Sequence, residues 1–148
     1  MLGQVFLTAP PLYLPRWRPS FKLETRKMAA TSIMSTDDEM NAMAGENIDV
    51  TGWTDANKTA WGLQAENYIN ILCRYNFSDN FGTLNVDVRN LLSEYVSRYV
   101  GISGIAYNMS GFTSRIEAED MMNIHLYRMN KIEQILVDQK GVTYMQGA

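Results

Sequence analysis

The chain has 148 residues, the length of a single domain, and its formal net charge at pH 7 is −3. A single cysteine excludes an intrachain disulfide, and no apolar run approaches the roughly 20 residues that a membrane-spanning helix requires. The acidic balance, thirteen Lys and Arg against sixteen Asp and Glu, argues against nucleic-acid binding as the main task, because phosphate contacts need clustered basic side chains.

Residues 1–33 differ in composition from everything that follows. They hold all four prolines and five basic residues against one acidic residue, a net charge of +4, whereas residues 34–148 hold eight basic and fifteen acidic residues, a net charge of −7. We therefore predict an extended, basic, Pro-containing arm at 1–33 and a helical domain at 34–148 that ends in a short tail. Pro10 and Pro11 interrupt the apolar start, which argues against a secretory signal.

Two interpretations of the arm stay open. It is either an ordered arm that lies on a neighbouring molecule through its aromatic side chains, or a segment appended by an upstream start codon. Met28 and Met34 are the candidate alternative starts. The aromatic side chains in question are Phe6, Tyr13, Trp17 and Phe21.

A short helix is predicted directly after the arm. Ser35 can cap it, Asp38 or Glu39 can reach back to the cap, and the carboxylates suit the N-terminal end of a helix. Gly45 ends this helix, and a loop follows at 46–52.

A second helix begins at Thr54 or Asp55 and runs to about Tyr75. Because apolar residues fall on more than one of its faces, we expect this helix to be central in its domain or shared with another subunit. Its main apolar residues recur at steps of four and three, the spacing of one buried stripe: Trp61, Ala65, Tyr68, Leu72 and Tyr75.

Residues 84–140 are the most informative stretch, since they contain two long amphipathic helices joined by a tight break at 108–114. So short a connection folds the two helices back on each other as an antiparallel hairpin. Residues 76–83 form a turn before the hairpin, with Phe77 and Phe81 as anchors. The predicted fold is therefore all-α, a small helical bundle with a long antiparallel C-terminal helix hairpin and an extended N-terminal arm.

The first helix of the hairpin starts at Asn85 or Asp87. Gly101 and Gly104 lie three residues apart within it, and each costs about 1 kcal/mol relative to alanine. Close approach of another helix is the compensation that we expect. The predicted stripe is Val88, Leu91, Tyr95, Tyr99, Ile102, Ala106 and Met109, with Leu92, Val96 and Ile105 alongside.

The second helix of the hairpin follows Gly111, which is predicted to end the first as a C′ glycine. Ser114 and Glu117 supply a capping box for it, and Gly141 closes it. Its predicted buried stripe is Ala118, Met122, His125, Met129, Ile132 and Leu136.

Residue types that carry chemistry are scarce in this chain. His125 is the only histidine, and it has no Glu or Asp three or four residues away, so a hydrogen-bonded core or interface histidine is favoured over a metal ligand or general base. Glu117, Glu119 and Asp120 suit the positive end of a helix dipole, and Cys73 suits packing. No phosphate-binding glycine loop occurs. We therefore expect no enzyme, no cofactor and no metal site.

Eight tyrosines on a small helical body favour assembly over catalysis, because tyrosine is enriched at protein interfaces. The residues predicted to lie at a subunit interface are Tyr95, Tyr99, Gly101, Gly104, Tyr107 and Tyr127.

The segment from Trp61 to Lys140, above all 67–76 and 107–121, resembles small helical virion proteins of tailed bacteriophages. It is most similar to the head-tail adaptor family, also called connector or head completion proteins. The resemblance implies a twelvefold homo-oligomeric ring beneath the portal, at the head-tail interface of the virion, which assembles in the host cytoplasm. Such a ring extends the DNA channel without binding DNA specifically and meets a tail or stopper protein.

In that family an extended terminal tail commonly docks onto the portal protein, by adding a strand or filling a groove. The resemblance implies this role for the residues that follow Gly141, which alternate apolar and polar. They are Val142, Thr143, Tyr144 and Met145.

Two rival hypotheses remain. One is another non-enzymatic helical accessory or capsid-associated protein that forms no ring, which solution mass would separate from an adaptor. The other is a small enzyme that combines His125 with an acidic residue of a neighbouring subunit. Exposure of His125 tests the enzyme hypothesis, because a buried ring packed between helices would argue against it.

Overall fold

The computed structural model describes residues 32–138 and Tyr144, and this part of the chain is all-α, as predicted. Short 3-10 turns precede the last two helices, and no strand occurs within residues 32–138. Most of the predicted arm and Gly141 lie outside the described residues. The helices are α1 (Asp37–Ala44), α2 (Asp55–Cys73), α3 (Phe77–Asn80), α4 (Val86–Tyr107) and α5 (Arg115–Val137).

Side-chain caps fix where the helices begin. At α1 the Thr36 hydroxyl accepts a hydrogen bond from the Glu39 N–H, and the Thr36 N–H donates to the Glu39 carboxylate at 2.8 Å. This capping box lies one residue after the predicted Ser35 cap, and Gly45 ends the helix as predicted, with a φ of 75°. The other long helices begin after polar residues that accept from a backbone N–H, namely Thr54, Asn85 and Ser114.

The centre of the bundle is α4, because α1, α2 and α5 all pack against it. Small residues let α1 approach closely: the Ser97 and Ser35 hydroxyls are 2.7 Å apart, and a Cβ on Gly101 would lie 3.2 Å from the Met43 backbone. The prediction that Gly101 allows close approach of another helix is therefore confirmed. The buried residues of α4 are Val88, Leu92, Ser93, Tyr95, Val96, Ser97, Val100, Gly101, Gly104 and Ile105.

The hairpin of α4 and α5 is antiparallel, since Arg98 contacts His125 while the earlier residue Tyr95 contacts the later residue Glu133. The stripe predicted for α5 is the one that the structure buries, except that Met122 is partly buried. Its fully packed members are Ala118, His125, Met129, Ile132 and Leu136.

Gly111 does not end α4, which is a correction to the sequence prediction. The helix ends at Tyr107, and Asn108 is extended. Gly111 lies in the following 3-10 turn, where a Cβ would overlap the carbonyl oxygen of Asn47 in the loop after α1. The glycine therefore permits contact between two loops, which spacing along one helix does not reveal.

On α2 the buried face also differs from the predicted stripe. Ala65 is buried, but Tyr68 is 47% exposed, and the helix ends at Cys73 rather than Tyr75. The buried side of α2 includes two charged residues, Lys58 and Glu66, so a search for apolar spacing misplaced it. The buried residues of α2 are Lys58, Gly62, Ala65, Glu66 and Ile69.

The boundary between arm and domain lies earlier than predicted. Ser32 and Met34 are both buried, at 4% and 2% exposure, and Ser32 packs against Gly62 of α2. A boundary between residues 33 and 34 would divide a segment that belongs to the core.

Candidate assembly surface

The last helix carries a second apolar stripe on its outer side. Ile116, Ile124, Tyr127 and Ile135 follow one another at steps of eight, three and eight residues, which places them within an arc of about 100°. Their exposed fractions are 70%, 65%, 66% and 52%. The buried stripe of α5 occupies the other side of the helix, so α5 presents apolar side chains both to the core and to solvent. Asp120, Lys131 and Gln134 are also exposed in this arc, so the surface combines apolar and polar side chains. Exposed apolar side chains grouped on one face mark interaction surfaces.

A groove opens on another side of the bundle, between Tyr68 of α2 and the facing sides of α4 and α5. Near Cys73 the helices α2 and α5 are in contact, since the Cys73 thiol donates to the Leu136 carbonyl at 3.8 Å. The groove has a volume of about 360 Å³. The Tyr68 and Tyr95 rings stack in its wall, with centroids 6.4 Å apart. The lining is mostly apolar and aromatic: Tyr68, Tyr95, Tyr99, Ile102, Ser103, Ala106, Leu126, Met129 and Glu133.

Three of the residues predicted at a subunit interface are buried within the chain itself. Tyr95 is 1% exposed, and its hydroxyl donates to the Glu133 carboxylate at 2.7 Å, so burial and this negative neighbour raise its pKa. Gly101 faces Met43, and Gly104 faces the Trp53 ring. Each of these three positions packs against a neighbour in the same molecule, and a role for them at a subunit interface stays a prediction.

The other three predicted interface residues remain accessible. Tyr99 is half-buried in the lining of the groove, Tyr107 is 58% exposed and packs its ring 6.1 Å from that of Trp61, and Tyr127 belongs to the outer stripe of α5. A contact of these residues with a second subunit stays a prediction.

Of the predicted portal-docking tail, only Tyr144 is among the described residues. Its hydroxyl accepts a hydrogen bond from the Asn85 amide at 3.1 Å and donates to the Asp87 carboxylate at 3.4 Å. Both partners stand at the start of α4, so this tyrosine contacts its own domain. Val142, Thr143 and Met145 lie outside the described residues.

A charged cluster joins α4 to α5 beside His125. The imidazole is 8% exposed, its Nδ1 lies 2.9 Å from Arg98 Nη1, and it also bonds the backbone of Met43. Because Nδ1 accepts from a guanidinium, the other ring nitrogen carries the proton. Burial, followed by the Arg98 charge, lowers the pKa of His125. The ring is packed and its acceptor nitrogen is occupied by Arg98, which counts against its use as a general base.

Glu94 completes this cluster. Its carboxylate accepts two hydrogen bonds from Arg128, at 2.8 and 3.2 Å, and a third from Arg98 at 2.9 Å. The Arg128 hydrogen bond holds the pKa of Glu94 below its usual value, with Arg98 adding to the effect against partial burial. The cluster connects three helices. Arg98 of α4 bonds the His125 ring of α5, and that ring also bonds the backbone of Met43 in α1.

Sequence reasoning missed the buried carboxylate of Glu66. It is 2% exposed and accepts hydrogen bonds from the Ser32 hydroxyl, the Met34 N–H at 3.3 Å and the Ser78 hydroxyl at 3.2 Å. These bonds tie the segment before α1 to α2 and α3. A glutamate in the middle of an amphipathic helix ordinarily faces water, so its type gave no signal of this role.

Neither a protein-family model, nor a curated protein, nor a solved structure matches the chain.

The described residues offer little else that would serve chemistry. They include no group of three or more His, Cys, Asp or Glu side chains placed to hold a metal ion. None of the helices in this part of the chain has the length and apolarity to cross a membrane. Cys73 is half-buried in the core cluster and burial raises the pKa of its thiol, in agreement with the packing role predicted for it. The two apolar surfaces are therefore the features that most need a function.

Proposed function

We propose that the chain is a structural protomer that associates with copies of itself through the outer face of α5, as a head-tail adaptor of tailed bacteriophages does. In this role it forms a ring under the portal, joins head to tail and extends the DNA channel. The observation that carries the proposal is the second stripe of α5, formed by Ile116, Ile124, Tyr127 and Ile135. A helix apolar on two faces suits a protomer that has both a core and a neighbour.

Other features support this role. The acidic balance of residues 34–148 suits the wall of a channel, since repulsion lets a DNA duplex slide rather than bind. Tyr107 and Tyr127 are the candidate subunit contacts, and the tail at 142–145 is the candidate contact with the portal. The partners in this proposal are the portal protein and a tail or stopper protein.

The proposal is tested by co-sedimentation of the purified protein with a portal protein from the same genome, followed by imaging of the complex. We expect a ring of copies on the narrow end of the portal. Ile124→Glu should abolish the ring while leaving the monomer folded, because that side chain is 65% exposed. Asn67→Glu, which adds the same charge at an exposed position of α2, is the matched control and should still form rings.

A second candidate is a helical accessory protein that forms a dimer, since an apolar stripe on one helix can equally pair with its symmetry mate. A dimer that ignores the portal and is broken by Ile124→Glu would favour it. A monomer at every concentration, with no portal binding, would contradict both candidates.

A further inference from the structure

We propose that the groove between α2, α4 and α5 binds the Pro-rich basic segment 10–19 of a second copy of this chain. The inference rests on the proposed self-association, and it names segment 10–19 as a contact between one copy and the next. The segment reads Pro-Pro-Leu-Tyr-Leu-Pro-Arg-Trp-Arg-Pro, so its prolines come with two aromatic and two basic side chains.

The lining of the groove has the chemistry that recognises such a segment. Pro-rich chains favour an extended conformation that docks into aromatic-lined grooves at a small entropy cost. Here the aromatic surface comes from Tyr68 and Tyr99, and Leu126 and Met129 form the apolar wall opposite. With Tyr68 47% and Leu126 45% exposed, the groove leaves apolar area open to an occupant.

Charge complementarity also favours this occupant. Glu133 stands in the lining of the groove, where its carboxylate already accepts the Tyr95 hydroxyl. Arg16 and Arg18 flank Trp17, so a tryptophan in the groove would bring a guanidinium to this acidic wall. On a larger scale, residues 1–33 carry a net charge of +4 and residues 34–148 a net charge of −7. Opposite charges speed encounter and set the orientation of a complex.

The position of Ser32 favours exchange between copies over docking within one molecule. Ser32 packs on Gly62 and bonds Glu66, on the side of α2 that faces α1, whereas the groove lies on the side that faces α5. The twelve residues 20–31 that separate the segment from Ser32 span up to about 40 Å when extended, so the groove of an adjacent copy is within reach. If each copy places its segment in the groove of the next copy, the contact is head-to-tail, and head-to-tail contacts can close into rings.

The test uses full-length chains in a Cys73→Ser background and thiol cross-linking. One chain carries Ser20→Cys, which flanks the segment and leaves its prolines, aromatic and basic side chains in place, and the other carries Ser103→Cys, which lies in the lining of the groove. Mixed in equal amounts, they should give a cross-linked dimer several-fold more abundantly than a matched pair in which the second chain carries Ala42→Cys, an exposed position on α1. Equal yields from the two pairs would overturn the proposal.

Two further results separate the inference from the function on which it rests. A chain that carries both Ser20→Cys and Ser103→Cys and cross-links only within itself, as a monomer, would overturn exchange between copies. Rings on the portal without the Ser103 cross-link would overturn the arm contact and leave the adaptor proposal standing. An arm variant, Trp17→Ser, lies outside the described core and should lower the mass of the self-associated species while the helical content is kept.

Discussion

His125 shows how one polar residue can join three helices. The residue lies on α5, accepts a hydrogen bond from Arg98 of α4 and is hydrogen-bonded to the backbone of Met43 in α1. This role needs the neutral imidazole, because a second proton would remove the acceptor that faces a guanidinium. The sequence predicted a hydrogen-bonded core or interface histidine, and the residue is buried and hydrogen-bonded as expected.

The free energy of unfolding should therefore fall as the pH drops from about 7 to about 5.5, across the ordinary pKa of histidine. The unfolded chain takes up a proton near its usual value of 6.5, whereas the folded chain resists because its pKa is lower. The contribution is complete above 6.5 and is lost as the pH falls toward the folded-state pKa. His125→Asn keeps an acceptor for Arg98 without titrating, and should flatten this dependence in urea denaturation curves. As His125 is the only histidine, an equal loss in the variant would contradict the prediction.

At the scale of elements, local signals in the sequence predicted the positions of the helices well, but they predicted the contacts between helices poorly. Caps and apolar spacing gave α4, α5 and the tight break between them, because these signals depend on residues close in sequence. The hydrogen bonds of Glu66 and Tyr95 were not predicted, because their partners, Ser32 and Glu133, lie 34 and 38 residues away. The same limit applies to the groove, because its lining comes from three helices that are distant in sequence.

The packing of α1 on α4 depends on Gly101, whose missing side chain admits the Met43 backbone. Gly101→Val should lower the free energy of unfolding by about 2 kcal/mol, since overpacking against backbone costs about 1–3 kcal/mol. Ala106→Val places the same side chain at an exposed position of the same helix and should change stability by less than about 0.5 kcal/mol. Chemical denaturation monitored by circular dichroism measures both. Equal stability of the two variants would show that α1 can move away without loss.

For the whole molecule, the charge division between residues 1–33 and 34–148 predicts salt-sensitive association. Raising the salt concentration from about 0.1 M to about 1 M shortens the Debye length from about 10 Å to about 3 Å, and should reduce the mass seen by light scattering. Arg16→Gln combined with Arg18→Gln should associate more weakly at low salt and respond less to added salt. Association that strengthens with salt would instead indicate that apolar contact alone drives it.

The buried position of Ser32 also bears on the candidate start sites. A chain that begins at Met34 would lack the Ser32 hydroxyl that bonds Glu66, and its amino terminus would stand where the Met34 N–H lies 3.3 Å from the same carboxylate. A chain that begins at Met28 would keep Ser32. Of the two starts, only the one at Met28 keeps the Ser32 bond to Glu66.

The central position of α4 has a consequence for how such a protein can change over evolutionary time. The core is organised around α4, whereas the outer stripe of α5 and the flank of α2 that borders the groove belong to peripheral helices. Substitutions on those surfaces can alter which molecule is bound without repacking the interior. A lineage could therefore exchange partners while its fold stays the same and its sequence drifts.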